Sequence, residues 1–516
     1  MKWRTASRWH KDSFVIGLAP FDRKTICHRI CLAPRLNYAA CCDHQLERIS
    51  DSCKLTPFYG YHQTSCTTTN PSYRLIEACL GFVFLDIVFH SPMERGAYQV
   101  RPEGSFMQTK GWDTISVVRQ ESVNSDMAAS WPSLDHEFSY DPSEGYLLQG
   151  VFDCWSVING GGGRLLRLRM PIRSGFFDSG GTSRSLTGTA AIIEVTLSLL
   201  PQCAGQMQLR SAFLHKANQL NELQGDEGGW LRGITLQDPS GTLGPLATVV
   251  LDGICNYLVE HPEQFTHTFA TINFSKSSAP EWARPCKSTY AYLDSGFLAI
   301  MAVCTDREIG GLPLDIDVSG ISPGGQSCYV LSARMVLEHL ILPGLLQLYQ
   351  GANTGDYRFD EPQIVNVPNL RMNAIKSGLI WYTPIVFAGR NPARILGDNI
   401  SIDYEGDCDL YAGIDMKWNG WVRMKLVLNG NTVNFAKQAS NFNKEVDIPW
   451  YLSWLLPVVG LITKIVAAVI SDDLISSIAT RGGSVKANAI DCVSWSNATH
   501  TAQSSYLAEA LVIKYV

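Results

Sequence analysis

Four glycines, Gly160 to Gly163, stand directly before Arg164 in the stretch VINGGGGRLLRLRMPIRSG, residues 157–175. A glycine-rich turn beside a cation is one of the few short patterns able to cradle a phosphate, because its backbone N–H groups converge on the anion. That use needs a closing Lys and Ser or Thr and a helix whose N-terminus faces the phosphate. Here Arg164 leads into a run in which Leu166, Leu168 and Met170 alternate with Arg167 and Arg169, the period of a strand. A dinucleotide-binding loop fails for the same reason. The glycines therefore read as a hairpin turn, where positive φ costs them nothing.

Other candidate chemistry is equally thin. Ser179 lies in FDSGGTS (177–183), which matches the nucleophile stretch of trypsin-like proteases in four letters. No histidine stands in the context that such a site requires, and a hydrolase built on Ser179 is the least favoured of three readings. No G-x-S-x-G elbow and no H-E-x-x-H pair occur. The acidic run DYEGDCD (403–409) lacks the spacing and closing glutamate of a calcium loop. Cys27 and Cys31 have metal-like spacing but no second pair at a suitable distance. No metal, no cofactor and no catalytic residues are expected, and the protein is read as non-enzymatic.

The composition favours a binding protein. Charged residues make up 17% of the 516, against roughly 25% in ordinary soluble proteins, so an unusual share of the surface is uncharged. A net charge of −6 offers no basic field for a phosphate backbone and argues against nucleic acid. The start, MKWRTASRWHKDSFVIGLAP, has basic residues with no apolar core behind them. The expectation is a cytoplasmic protein, or one released without a conventional signal peptide. Fifteen cysteines, seven of them before residue 107, form no even framework.

Residues 1–106 have poor periodicity and read as an unpatterned N-terminal extension, either poorly ordered or a gene-model artefact with translation beginning at Met107. Their apolar run at 78–90 is short and interrupted by Asp86. From Met107 the pattern changes. GWDTISVV, GYLLQGVFDCWSVING, AAIIEVTLSLLPQ, ATVVLDGICNYLVEH, STYAYLDSGFLAIMAVC and WVRMKLVLNGNTVNFAKQ all read as strands. RQESVNSDMAAS reads as a short helix. Strong helix signals are confined to SCYVLSARMVLEHLILPGLLQLY (327–349) and to the residues after Pro457. The fold class expected is α+β, dominated by antiparallel sheet.

The apolar stretch 448–470 is long enough to span a membrane and carries one charge, Lys464. Pro449 and Pro457 break it. From Val458 onward, Leu461, Ile462, Ile465, Val466 and Val469 fall on one face of a helix, and Gly460, Thr463, Lys464, Ala467 and Ser471 on the other. The expectation is a core or groove helix, with an interfacial helix as the next reading. At most peripheral membrane contact follows, not an integral protein. Trp450, Tyr451 and Trp454 suit a membrane interface or a lipid-filled mouth.

TKGWDTISVVRQESVN, GGGGRLLRLRMPIRSG, YVLSARMVLEHLILPGL and LPVVGLITKIVAAVISDDLISSIA, in that order, resemble the clostridial 47-kilodalton toxin-cluster protein and OrfX family. The resemblance covers most of residues 107–516. It implies a TULIP-type domain there, with strongly curved antiparallel sheets wrapped around long helices to make an apolar tube. It further implies binding of lipid, including phosphoinositide, and a toxin-like cluster partner, with no catalytic residues. The alternative is a protein–protein component of such a complex with no lipid ligand. The groove candidates are Trp112, Leu166, Leu168, Trp454, Leu455, Val459, Ile462 and Val466. Arg164, Arg167 and Arg169 are candidate headgroup contacts, or else the solvent face of a strand.

Overall fold

The computed structural model describes residues 108–516, apart from 135, 144, 204, 220–221, 224–227, 294, 317, 319–325, 412 and 497–500. The extension 1–106, with Cys27, Cys31 and the run 78–90, lies outside the described residues, as does Met107.

The glycine stretch is a strand-to-strand turn. Strands Ser156–Gly162 and Leu165–Ser179 pair antiparallel, with a bulge between Ile158 and Gly162. Gly160 and Gly163 have φ of 106° and 59°, values that side chains resist. Strand Leu165–Ser179 then changes partners along its length. Its first half pairs with Ala190–Thr196, and its second half with Tyr146–Phe152. One strand serving two sets of neighbours curls an eight-stranded sheet. The concave face holds the helix Ala247–Glu260 in an N-terminal lobe whose core includes Leu148, Leu166, Leu168, Leu231 and Ile254.

Helix α1, Gln120–Ser130, falls where the sequence places a helix. Helix α2, Ala247–Glu260, corrects the strand expected for ATVVLDGICNYLVEH. Val249, Val250, Ile254 and Tyr257 suggest a strand by propensity. Burial follows a helical period instead: Val250, Leu251, Ile254, Tyr257 and Leu258 point inward and Val249 outward. Gly244 and Pro245 in the preceding turn mark the start of this helix.

A six-stranded antiparallel sheet joins the two lobes. Its order is Lys287–Leu293, Phe297–Val303, Thr114–Arg119, Ser327–Leu331, Leu511–Tyr515, Ala502–Leu507. The pleat divides its residues. Tyr290, Tyr292, Leu298 and Ile300 enter the N-terminal core, while Tyr329, Leu331, Leu511 and Ile513 enter the C-terminal one. Ala291, Met301, Val330 and Val512 face the other way, into a third cluster closed by Trp112, Leu312, Leu314 and Ile316. Ser327–Leu331 is a strand, which corrects the helix expected to begin at Ser327. Five buried residues of a short apolar run carry no period, and Ser332 is the punctuation. Its hydroxyl caps the following helix by accepting from the Met335 N–H.

Helix α3 spans 333–348 and widens to a π-turn at Val336–Ile341. Pro343 explains this, since it has no N–H to return to the carbonyl of His339. Helix α4, Trp450–Arg481, begins as a 3₁₀ segment and carries a π-turn at Val469–Asp473. Its buried ridge is Leu455, Val459, Ile462, Val466, Ile470, Leu474 and Ile478, a spacing of three or four throughout. Leu461, assigned above to the inward face, is 37% exposed. It lies one position off the ridge, and 100° per residue turns it to solvent. The ridge packs with α3 inside a nine-stranded sheet, against Ile402, Met416, Trp418 and Val422. At roughly 1.5–3 kcal/mol per buried aliphatic side chain, its seven residues contribute ~10–20 kcal/mol of transfer free energy before chain entropy. The two helices meet closely at Gly344, where an added Cβ would stand 2.4 Å from Ile478.

Candidate functional site

The groove candidates do not line one space. Leu166 and Leu168 are packed in the N-terminal core, and Val459, Ile462 and Val466 in the C-terminal one. Trp112 belongs to the third cluster, and its indole N–H donates to the Pro313 carbonyl at 2.8 Å. Leu455 is fully buried, and Trp454 is half exposed. The Gly-Trp-Asp motif acts as a clasp. Asp113 accepts from Arg307 and from the Cys304 backbone N–H, both at 2.8 Å, and this holds the start of the segment that covers the central sheet.

The three arginines have protein partners. Glu194, almost wholly buried, receives Arg167 at 2.6 Å and Arg232 at 2.7 Å. Burial alone would raise its carboxyl pKa, but the two guanidinium groups outweigh that and hold it below the ordinary range. Arg164 donates to Thr289 and Arg169 to Gln237. Arg167 is therefore committed to a buried ion pair, as the cross-strand pairing Arg167↔Glu194 requires.

What the fold does bring together is an exposed apolar end on the C-terminal lobe. Trp450 is 87% exposed, Tyr451 64% and Leu456 60%. These residues, with Trp454 and Leu461, occupy the first turns of α4 on the side away from the ridge. The Trp454 ring meets Tyr411 at 5.5 Å. Strand Asn399–Tyr411, which Tyr411 ends, packs against Ile380–Tyr382, the second arm of the hairpin that begins at Ile375–Ser377. The hairpin tip presents Leu379, 96% exposed, with Ile380 and Trp381. Between hairpin and helix lies a cleft of about 240 Å³ lined by Leu348, Met372, Ile375, Ile465, Val466 and Val469. Trp454 and Val466 were expected at such a site. Leu379, Ile380, Trp381 and Tyr411 were missed, although GLIWY (378–382) carries a signal: three large apolar residues at a Ser-Gly turn, where polar ones belong.

Two other constellations bear on chemistry. Ser179 ends a strand at a tight Gly180–Gly181 turn. In the N-terminal lobe Ser130 Oγ lies 3.3 Å from His267 Nδ1, and His267 Nε2 lies 3.4 Å from Asp126 Oδ2. That Ser-His-Asp set was not foreseen. Its hydroxyl is within bonding distance of the carbonyls of Asp126 and Met127 in its own helix, the usual arrangement for a helical serine. The ring is also reversed relative to a hydrolytic triad, in which Nε2 faces the serine. Among the described residues, no group of three His, Cys, Asp or Glu could hold a metal ion.

A β-rich chain of curled sheets with few helices, apolar at one end, defines a class of fold. The particular family follows from comparison with known proteins. The profile of the OrfX-like family, Protein OrfX2/OrfX3/P47, matches residues 109–494, and the chain belongs to that family. Protein P47 of Clostridium botulinum (strain Kyoto / Type A2) is 23% identical over 294 residues, covering 54% of this chain and 67% of P47. Protein OrfX3 of Paraclostridium bifermentans is 23% identical over 286 residues, covering 48% of this chain and 56% of that protein. The match thus spans only about half to two thirds of these relatives. In fold, P47 from Clostridium botulinum A2 superposes with a TM-score of 0.62 at 19% identity, covering 80% of this chain and 98% of that one. P47 of Clostridium botulinum E1 gives 0.59.

Proposed function

We propose that this protein is a non-enzymatic, TULIP-type accessory of a toxin-like complex, and that it engages lipid through the aromatic end of its C-terminal lobe. The observation that carries the reading is the exposure on one lobe of Trp450, Tyr451 and Trp454, at the start of α4, and of Leu379 and Trp381, at the tip of the hairpin whose first arm lines an apolar cleft against the same helix. Indole and phenol rings pair an apolar body with a polar edge and favour the headgroup region of a bilayer. Helix α4 is long and apolar enough to cross a membrane, yet its ridge is committed to the lobe core. The contact proposed is therefore peripheral.

Immersing about half of the exposed indole area of Trp450 and Trp454 is worth roughly 2–3 kcal/mol at ~25 cal/mol/Å². Co-flotation of the full chain with phosphatidylcholine vesicles tests this. The wild type should float, and W450A/W454A should bind at least about 30-fold more weakly. If the wild type stays in the aqueous fraction and native mass spectrometry finds no lipid adduct, the lipid reading falls. The same aromatic set, of the kind enriched at interface hot spots, then belongs to a protein partner.

A further inference from the structure

We infer that the acidic sheet face beside the aromatic end makes attachment to a lipid surface acid-dependent. The inference rests on the lipid reading above and adds its regulation.

The geometry comes from strand register. Asp409 of strand Asn399–Tyr411 lies directly opposite Asp415 of strand Ile414–Asn429, and Asp407 opposite Lys417. Cys408, Leu410 and Met416 are buried in the lobe core. The alternate residues Asp407, Asp409, Tyr411 and Asp415 therefore share the outer face. Residues directly opposite in an antiparallel pair have Cβ atoms about 5 Å apart, and like charges there repel. Tyr411 continues this row and touches Trp454, so the three carboxylates border the surface that would meet lipid. Among the described residues none of the three forms an ion pair. Burial raises the Asp407 carboxyl pKa, and Asp415 and Asp409 raise it further, while Lys417 pulls it back.

Charged groups near this row include Glu405 on the same strand, paired with Arg390 at 3.5 Å, Lys417 on the second strand, Lys444 and Glu445 on the next strand, Thr432–Glu445, with Glu445 opposite Lys417, and Asp447 on the link into α4. Lys376 on the hairpin lies over the Trp381 ring at 5.5 Å, and Lys464 is on the outer side of α4. No cation stands between Asp409 and Asp415 in the register. Bringing the aromatic end onto a bilayer strips water from these carboxylates, which costs free energy while they are charged and far less once protonated. Protonation thus removes both the mutual repulsion and the desolvation cost.

The test uses the full chain and phosphatidylcholine vesicles at pH 7.5 and 4.5. The wild type should bind about tenfold or more tightly at the lower pH. D407N/D409N/D415N should bind at pH 7.5 as the wild type does at pH 4.5 and lose the pH dependence. Because that comparison is made at neutral pH, acid unfolding cannot imitate it. D409N/D415N, altered only at exposed positions, should show most of the effect if the triple variant folds poorly. Equal wild-type binding at both pH values would overturn the inference while leaving the lipid reading intact. So would asparagine variants that keep the wild-type pH dependence. Absence of binding at either pH by any of these proteins would overturn both.

Discussion

Substituting Glu194 by Gln removes the charge that two arginines share while leaving the side chain's volume unchanged. The carboxylate is 6% exposed and accepts at 2.6 and 2.7 Å, while Arg167 and Arg232 are 29% and 26% exposed. Breaking a fully buried pair costs about 3–5 kcal/mol, and an exposed pair contributes ~0–1 kcal/mol. A buried acceptor whose donors can partly rehydrate lies between, at about 2–3 kcal/mol. With a urea slope of ~3 kcal/mol/M, the unfolding midpoint of the N-terminal lobe should fall by roughly 0.7–1 M. The pH dependence has a definite sign. The folded pKa of Glu194 is depressed, so the contribution is complete above the unfolded value of 4.5 and disappears as pH falls through the folded one. Replacing all three residues by apolar ones of similar size should restore most of the stability, because the unpaired charges go too. Vesicle binding of E194Q should equal that of the wild type. A midpoint unchanged within ~0.2 M would refute the ion-pair argument and return Arg167 to the list of groups available to an anionic headgroup.

Two further predictions concern the helix and the buried acid near the C-terminus. Ile462→Ala, on the inward ridge of α4, should cost about 3 kcal/mol, whereas Leu461→Ala next to it should cost under ~1 kcal/mol. Equal losses in chemical denaturation would show the assigned face to be wrong. Asp491 is fully buried, and burial pushes its pKa up to about 7, against the pull of the Val493 N–H and of Lys276. A raised folded pKa means that the stability this group supplies is complete below the unfolded value of 3.8 and is lost as pH rises through about 7. Asp491→Asn should therefore flatten the fall in melting temperature between pH 5 and pH 8, and an unchanged slope would count against it.

Strand identity was legible wherever alternation and turn chemistry agreed. The hairpin at Gly160–Gly163 follows from period and glycine alone, whereas WVRMKLVLNGNTVNFAKQ, read as one strand-like run, is two paired strands, 414–429 and 432–445, joined at Gly430. Helix α2 was not legible, because β-branched residues mask a helical burial period until its partners are known. The strand at 327–331 failed for the opposite reason, since uniform burial leaves no period to read. The candidate site was legible only in part. Leu166, Leu168 and Ile462 were chosen because apolar strand and helix positions suit a tube, but core-facing and ligand-facing positions have the same composition. Leu379 and Trp381, exposed at a hairpin tip, break the pattern that such positions normally keep, and that departure is the stronger signal.

Helix α4 serves both the core and the exposed surface. Its composition passes for a membrane span because two demands are written on one segment. A ridge from Leu455 to Ile478 must be apolar to hold α3 and the nine-stranded sheet together. The first turns must be apolar on the opposite side for a different reason, since Trp450, Tyr451 and Leu456 are exposed and supply nothing to that core. Farther along, the outer side turns to Lys464, Asp472 and Asp473, and Lys437 binds Asp472 at 2.8 Å. A helix serving the fold alone would be polar outside along its whole length. Apolar exposure confined to the end that meets Tyr411 is what a local binding surface requires, and the core ridge behind it keeps that surface rigid.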